Sequence, residues 1–207
     1  MIRNPFLEKR MEILHKIINE CNPENKVIYD LGASSANAIS NGIKSKKTIK
    51  FDIMSDKYPD IIVDLNKKIP SPSKSADICI AGEIIEHLYH ANDFLNEVRR
   101  VLVDDGHLFL TTPNACCIKY RFLMLFGILG SNLAKADGQN KYAGIRKGEG
   151  HVRDFNKKEI TNILKKNGFK IQRITTTGIS VKSVFIPGAL MPKTFGDDII
   201  IKALKSN

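Results

Sequence analysis

The feature that most limits the folds open to this chain is the rhythm of its apolar segments. Short β-type runs at 26–30, 48–52, 60–64, 76–81 and 106–111 read as five buried strands. Between the fourth and fifth, Phe94, Leu95, Val98, Val101 and Leu102 recur at helical spacing, and Asp104, Asp105 and Gly106 supply a stop. A further helix is predicted over 6–20, with Pro5 in its first turn, and another over 157–166, closed by Asn167 and Gly168. Residues 169–177 and 199–204 read as the closing strands. Strands that alternate with helices build an α/β fold around a largely parallel sheet. Residues 115–150 break the rhythm, and so long an excursion is the expected place for a lid on the acceptor side.

Composition narrows the class further. The chain has 207 residues, of which 43% are hydrophobic and 26% charged, which suits one globular domain over 1–207 and excludes disorder, collagen and coiled coil. No unbroken apolar run reaches the roughly 18 residues of a spanning helix. Residues 1–10 carry charges without the apolar core of a signal peptide, so a cytoplasmic protein is expected. Cys21 and Cys79 stand alone and Cys116 and Cys117 are neighbours, so there is no thiolate zinc motif, and reduced thiols fit the cytosol. The net charge is +10, but it is uneven: residues 116–207 hold 17 basic and 6 acidic side chains, whereas 51–115 hold 6 and 11. The basic last third suggests an anionic partner, or merely lysine-rich solvated surface. Within it, residues 119–130 are a compact apolar run flanked by basic residues. The run suits a lid packed on the body, or peripheral contact with a membrane or apolar acceptor.

The first strand leads into a loop of small residues, 31–37, and then a predicted helix, which makes room for a nucleotide-like ligand. The second strand ends in Asp52, 22 residues after Asp30, and offers a carboxylate to ribose hydroxyls. Gly32 alone stands where a dinucleotide fingerprint wants three glycines, which argues against a nicotinamide cofactor.

Four motifs carry a resemblance. Residues 29–36, Tyr-Asp-Leu-Gly-Ala-Ser-Ser-Ala, resemble the first motif of class I S-adenosylmethionine-dependent methyltransferases. Residues 76–88 resemble that family's fourth strand and the helix after it, with a Glu-x-x-Glu-His pattern. Residues 99–114, from Arg-Arg-Val-Leu to Thr-Thr-Pro-Asn, are similar to its fifth-strand signature, and 150–155 with Gly168 and Phe169 match a later element. Ser34 and Ala36 replace two motif glycines, and Asp105 replaces a third before the fifth strand. The resemblance implies a Rossmann-like seven-stranded sheet of order 3-2-1-4-5-7-6 with the last-formed strand antiparallel. S-adenosylmethionine is the implied cofactor. Carried over by position, Asp30 and Gly32 would lie beside its methionine part, Asp52 would bind the ribose hydroxyls, Asp64 and Leu65 would lie beside the adenine, Ala81, Gly82 and Glu83 would line the pocket, and Ala33 and Ile53 complete the expected cofactor-binding set.

Methyl transfer from a sulfonium needs alignment, exclusion of water and removal of a proton. Glu83, His87 and His151 are the candidate catalytic residues, since they fall after the fourth strand and across the acceptor cleft. Glu83, Glu86 and His87 would share one helix face at i, i+3 and i+4. Relatives with a similar pattern use it for a divalent metal. The preferred expectation is that Glu86 and His87 orient the loop by hydrogen bonds, and no metal is assigned. His107 is expected to face solvent, and Asn114 is a candidate acceptor contact. The expected reaction is O-methylation of a small-molecule, sugar or lipid-linked anionic acceptor. A non-catalytic adenosyl-binding adaptor is the alternative, and an RNA methyltransferase ranks below it for want of an aromatic platform.

Overall fold

The computed structural model describes residues 5–33, 38–55, 58–128, 151–181, 184–190 and 192–206. Its elements in chain order are α1 (Pro5–Asn19), β1 (Val27–Leu31), β2 (Lys47–Asp52), β3 (Ile61–Ile62), β4 (Ala76–Gly82), α2 (Ala91–Val101), β5 (Leu102–Pro113), α3 (Ile118–Leu125), α4 (Lys157–Lys166), β6 (Phe169–Thr176), β7 (Gly178–Val181), β8 (Val184–Pro187) and β9 (Asp198–Lys205). Seven strands form one sheet in the order β3-β2-β1-β4-β5-β9-β6. With the separate β7–β8 hairpin set aside, this is the expected 3-2-1-4-5-7-6. Strands β1 to β5 pair in parallel, and β9 runs antiparallel to both β5 and β6.

Alternation along each strand sorts the core into two layers. Ile78, Ile80, Phe109 and Ile200 face Leu14, Ile17 and Ile18 of α1. Cys79, Ala81, Leu108, Leu110, Ile199 and Ile201 share the opposite layer with Phe94, Leu95 and Val98 of α2 and with Ile160 and Leu164 of α4. Each fully buried Leu, Ile or Phe contributes about 1.5–3 kcal/mol of transfer free energy. Helix α4 starts on a capping box: Asn156 Oδ1 accepts from Glu159 N–H at 3.0 Å, and Glu159 Oε2 accepts from Asn156 N–H at 3.1 Å. It stops at Gly168, whose φ of 76° and close approach to Arg99 leave no room for a side chain.

Several expectations need correction. The predicted third strand over 60–64 pairs only at Ile61 and Ile62, because the Asp60 carboxylate caps Lys50 N–H at 2.8 Å beside it. The fifth strand is longer than 106–111, and Asp104, Asp105 and Gly106 do not stand between α2 and the strand. The chain passes straight from Val101 into β5, and a register irregularity with Asp105 at φ 59° absorbs the bend. No helix follows the first loop among the described residues: 38–46 form turns, held where Ser40 N–H bonds Asp30 Oδ2 at 2.9 Å. Ser34 and Ala36 lie outside the described residues, as does the 129–150 part of the expected lid. His107 does not simply face solvent: it is half-buried and stacks on Phe109, and burial lowers its pKa. Asn114 is 1% exposed and is spent on structure, since its Nδ2 donates to the carbonyls of Thr194 and Gly196.

Candidate functional site

Parallel strands aim their carboxyl ends at one edge of the sheet, and a crevice opens there where neighbouring crossovers depart in opposite directions. Between β1 and β4 the order reverses, and the predicted site residues gather along that edge. Asp30 ends β1 inside the protein, where burial pushes its carboxyl up against the pull of the Ser40 N–H. Gly32 follows at φ 80°, with its N–H on Phe51 O at 2.8 Å, and Ala33 N–H shares that acceptor at 3.0 Å. The space left by the absent Gly32 Cβ is taken by Ile84, and that of Gly82 by Ile39. At Gly32 the positive φ adds to the crowding by Ile84, whereas at Gly82 only the tip of the Ile39 side chain stands in the way.

The end of β2 suits an adenosyl group better. Asp52 Oδ1 accepts Met54 N–H at 2.9 Å, the only hydrogen bond to its carboxylate among the described residues. Ile53 beside it is 63% exposed. A carboxylate with an open oxygen next to bare apolar surface matches a ribose diol and an aromatic base, so these residues fit the cofactor. Asp64 Oδ1 holds Asn66 N–H at 2.9 Å, and Asn66 Oδ1 in turn accepts Tyr89 N–H at 2.8 Å, which ties the loops after β3 and β4 together. The Leu65 side chain is buried in the core, and Ala81 is fully buried beneath the crevice.

The predicted catalytic group divides in two. Glu83 does not share a helix face with Glu86 and His87, because only a three-residue 3-10 turn, Ile85–His87, forms there and Glu83 precedes it at φ 52°. Its Oε2 meets Arg10 Nη1 of α1 at 2.9 Å, and the same guanidinium reaches Asp198 Oδ2 at 3.5 Å. Burial and the Glu83 charge push the Asp198 carboxyl up to about 7.

Glu86, His87 and His151 come together, and each offers a ligand atom within 4.8 Å of the others. The His87 and His151 rings stand edge to face with centroids 4.9 Å apart. The 151 segment is fastened by Val152 and Arg153 N–H groups, which both bond Glu86 O, at 2.9 and 3.3 Å. Asp154 Oδ1 lies 3.4 Å from His151 Nδ1. Glu86 is buried. Its Oε2 accepts from Thr112 Oγ1 at 3.1 Å, and its Oε1 has no hydrogen-bond partner among the described residues. Burial, then repulsion from Glu83, raises the Glu86 carboxyl well above the carboxylate range. Arg10 and Asp198 escaped the sequence reading, for nothing local in the chain marks them. Asp154 had a signal, its i+3 spacing from His151.

The chain matches the methyltransferase-domain family over residues 7–174. No curated protein sequence matches it. Among solved structures it is similar to an S-adenosylmethionine-dependent methyltransferase of Thermotoga maritima, at TM-score 0.63 and 14% identity, covering 97% of this chain and 91% of that one. A Methanosarcina mazei chain of the same description gives 0.62 and 15%, covering 92% and 97%. The Burkholderia thailandensis 1,6-didemethyltoxoflavin-N1-methyltransferase, solved with its substrate and S-adenosylhomocysteine, gives 0.61 and 11%, covering 95% and 78%. At such identities these likenesses speak for the fold, and the family match over most of the chain establishes the rest: this protein belongs to the methyltransferase-domain family.

Proposed function

We propose that the chain transfers the methyl group of S-adenosylmethionine to a hydroxyl of a small-molecule, sugar or lipid-linked acceptor. The observation that carries this reading is the His87–His151 pair, backed by Asp154 and Glu86, at the strand edge that also bears Asp52. Asp52 would accept from the ribose hydroxyls, Ile53 would cover the adenine, and the oxygen of Asp64 that does not cap Asn66 would meet the base edge. S-adenosylmethionine supplies an activated methyl carbon. The acceptor oxygen attacks it in line, the carbon–sulfur bond breaks, and its electron pair stays on sulfur.

His151 removes the acceptor's proton. With Nδ1 turned to Asp154, the lone pair is on Nε2, and Asp154 stabilises the imidazolium that forms. Glu86, whose burial favours the neutral acid, would face the site through Oε1, the oxygen that Thr112 leaves free. The anionic part of a lipid-linked acceptor would lie at the rim, near Lys119 and Arg121, because the floor already holds Glu83, Glu86, Asp197 and Asp198. All four cysteines are free, which suits a reducing compartment and supports a cytoplasmic site of action. No helix among the described residues is long and apolar enough to cross a membrane.

A second reading is favoured by the unpartnered Glu86 Oε1. Glu86, His87 and His151 form a donor set that fits a divalent cation, which would lower the acceptor hydroxyl's pKa. A chelator that leaves activity unchanged removes it. The main reading is tested by calorimetric titration of the wild type and Asp52→Ala with S-adenosylmethionine and S-adenosylhomocysteine. Micromolar binding weakened at least about tenfold in the variant is expected. A folded wild type that binds neither ligand refutes it.

A further inference from the structure

Helix α3 is the one described helix that starts directly from the acceptor edge, and it is packed unlike any other. Among its residues none is buried. Phe122 is 60% exposed, Leu125 79% and Phe126, in the turn after it, 66%, and Met124 and Ile128 are exposed as well. At about 100° per residue Phe122, Met124 and Leu125 fall on one broad side of the helix, and Phe126 and Ile128 extend that apolar tip beyond its end. So many large apolar side chains bare to solvent at one tip mark a contact surface, and an apolar medium over that tip would relieve the exposure.

The base of the helix is built differently. Cys117 before it is buried, and Ile118 N–H bonds Phe195 O at 3.0 Å. Arg121 Nε donates to Cys116 O at 2.7 Å, and its guanidinium lies over the Phe195 ring at 5.1 Å. Lys119 sits over Tyr120 at 5.1 Å. The cations therefore stand at the root, and the apolar side chains form the tip. From 116 to 128 the sequence has no Asp or Glu.

We propose that α3 and its following turn dock this protein on an anionic lipid bilayer, with Phe122, Leu125, Phe126 and Ile128 in the acyl boundary and Lys119 and Arg121 at the head groups. Three observations select this occupant. The exposed apolar groups gather at the tip and the cations at the root, an order that matches an acyl boundary beneath anionic head groups. No Asp or Glu lies between 116 and 128 to oppose anionic head groups. At eight residues, or about 12 Å, the helix is too short to span, so it lies in the interface. The root of α3 follows Asn114 at the end of β5, so a docked molecule would hold its acceptor edge toward the membrane. The docking shares Lys119 and Arg121 with the acceptor rim proposed above, but it does not depend on methyl transfer and its test needs no activity.

Co-sedimentation of the full chain with vesicles tests it, using phosphatidylcholine alone and phosphatidylcholine with about 30 mol% phosphatidylglycerol. The wild type is expected to partition onto the anionic vesicles, more weakly at high salt and on the neutral ones. The triple variant Phe122→Ser, Leu125→Ser, Phe126→Ser is expected to bind at least about tenfold less, with unchanged circular dichroism and unfolding midpoint, because those side chains leave only solvent. Lys119→Gln removes a cation whose Nζ also lies 3.9 Å from Asp197 Oδ1 without adding a like charge there, and it should weaken binding to anionic vesicles only. No partition of the wild type overturns the proposal, as does equal partition of the triple variant. A wild-type dimer that the triple variant makes monomeric, with no vesicle binding, would assign the face to a second copy instead.

Discussion

Replacing Arg10 by Met tests how the floor of the acceptor edge is held together. Arg10 links α1 to Glu83 after β4 and to Asp198 at the start of β9, with side chains 19%, 23% and 14% exposed. Methionine keeps the apolar stem and removes the charge. Taking one partner from a buried ion pair costs about 3–5 kcal/mol, and the remaining solvent contact reduces that to about 2–3 kcal/mol here. The cost depends on pH in a defined direction. Asp198 is pushed up from 3.8 to about 7, so it binds its proton more tightly folded than unfolded. Its ionisation therefore takes stability away as the pH rises through that window, and Arg10 offsets the loss only where Asp198 is charged.

Near pH 8.5 the variant forfeits both contacts. At about pH 5.5 Asp198 is already protonated, only the Glu83 contact is at stake, and the loss shrinks to about 1–1.5 kcal/mol. Urea unfolding of both proteins at both pH values reads the difference directly. A penalty equal at the two pH values, or larger in acid, refutes the assignment of Arg10 as the counter-ion of Asp198.

Other consequences follow from the same geometry. His151→Ala should lower kcat by about 10²–10³ while S-adenosylhomocysteine binds as before, checked by steady-state kinetics beside calorimetry. Because burial, then repulsion from Glu83, favours the neutral form of Glu86, Glu86→Gln should retain more activity than Glu86→Ala. Activity lost equally in both would favour the cation-binding reading. Asn156→Ala removes the capping box of α4 and should cost about 1 kcal/mol in denaturant unfolding, with cofactor affinity unchanged.

The sheet was legible because strand periodicity is local. Ile78 and Ile80 alternate with Cys79 and Ala81, and that alternation alone separates the two layers. The shortened β3 was not legible, since its end depends on Asp60 capping Lys50 across a loop. Nor was the missing helix after the first loop, where Ile39 and Ile43 are as apolar as helical residues but pack as turns against α1. In the site, Asp52 was readable from its place at a strand end. The separation of Glu83 from Glu86 and His87 was not, because helical spacing presumes a helix and the chain makes a single tight turn.

The charge of the chain and the charge of its site have opposite signs, and the difference bears on what can bind where. The surplus of basic side chains belongs to residues 116–207, yet the floor gathers Glu83 and Asp198 on Arg10 with Glu86 beside Glu83, and Asp197 next to Asp198 lies 3.9 Å from Lys119. Adding an anion to that floor would raise repulsion in a poorly solvated place, where the carboxyls of Glu86 and Asp198 already hold their protons more tightly than usual. On the reading proposed here, an anionic group would be met at the rim and the root of α3, where Lys119 and Arg121 stand. The reacting hydroxyl would enter as the neutral group and lose its proton to His151. A long acceptor with its charge at one end and its nucleophile at the other would meet both demands, and a compact anion would meet neither.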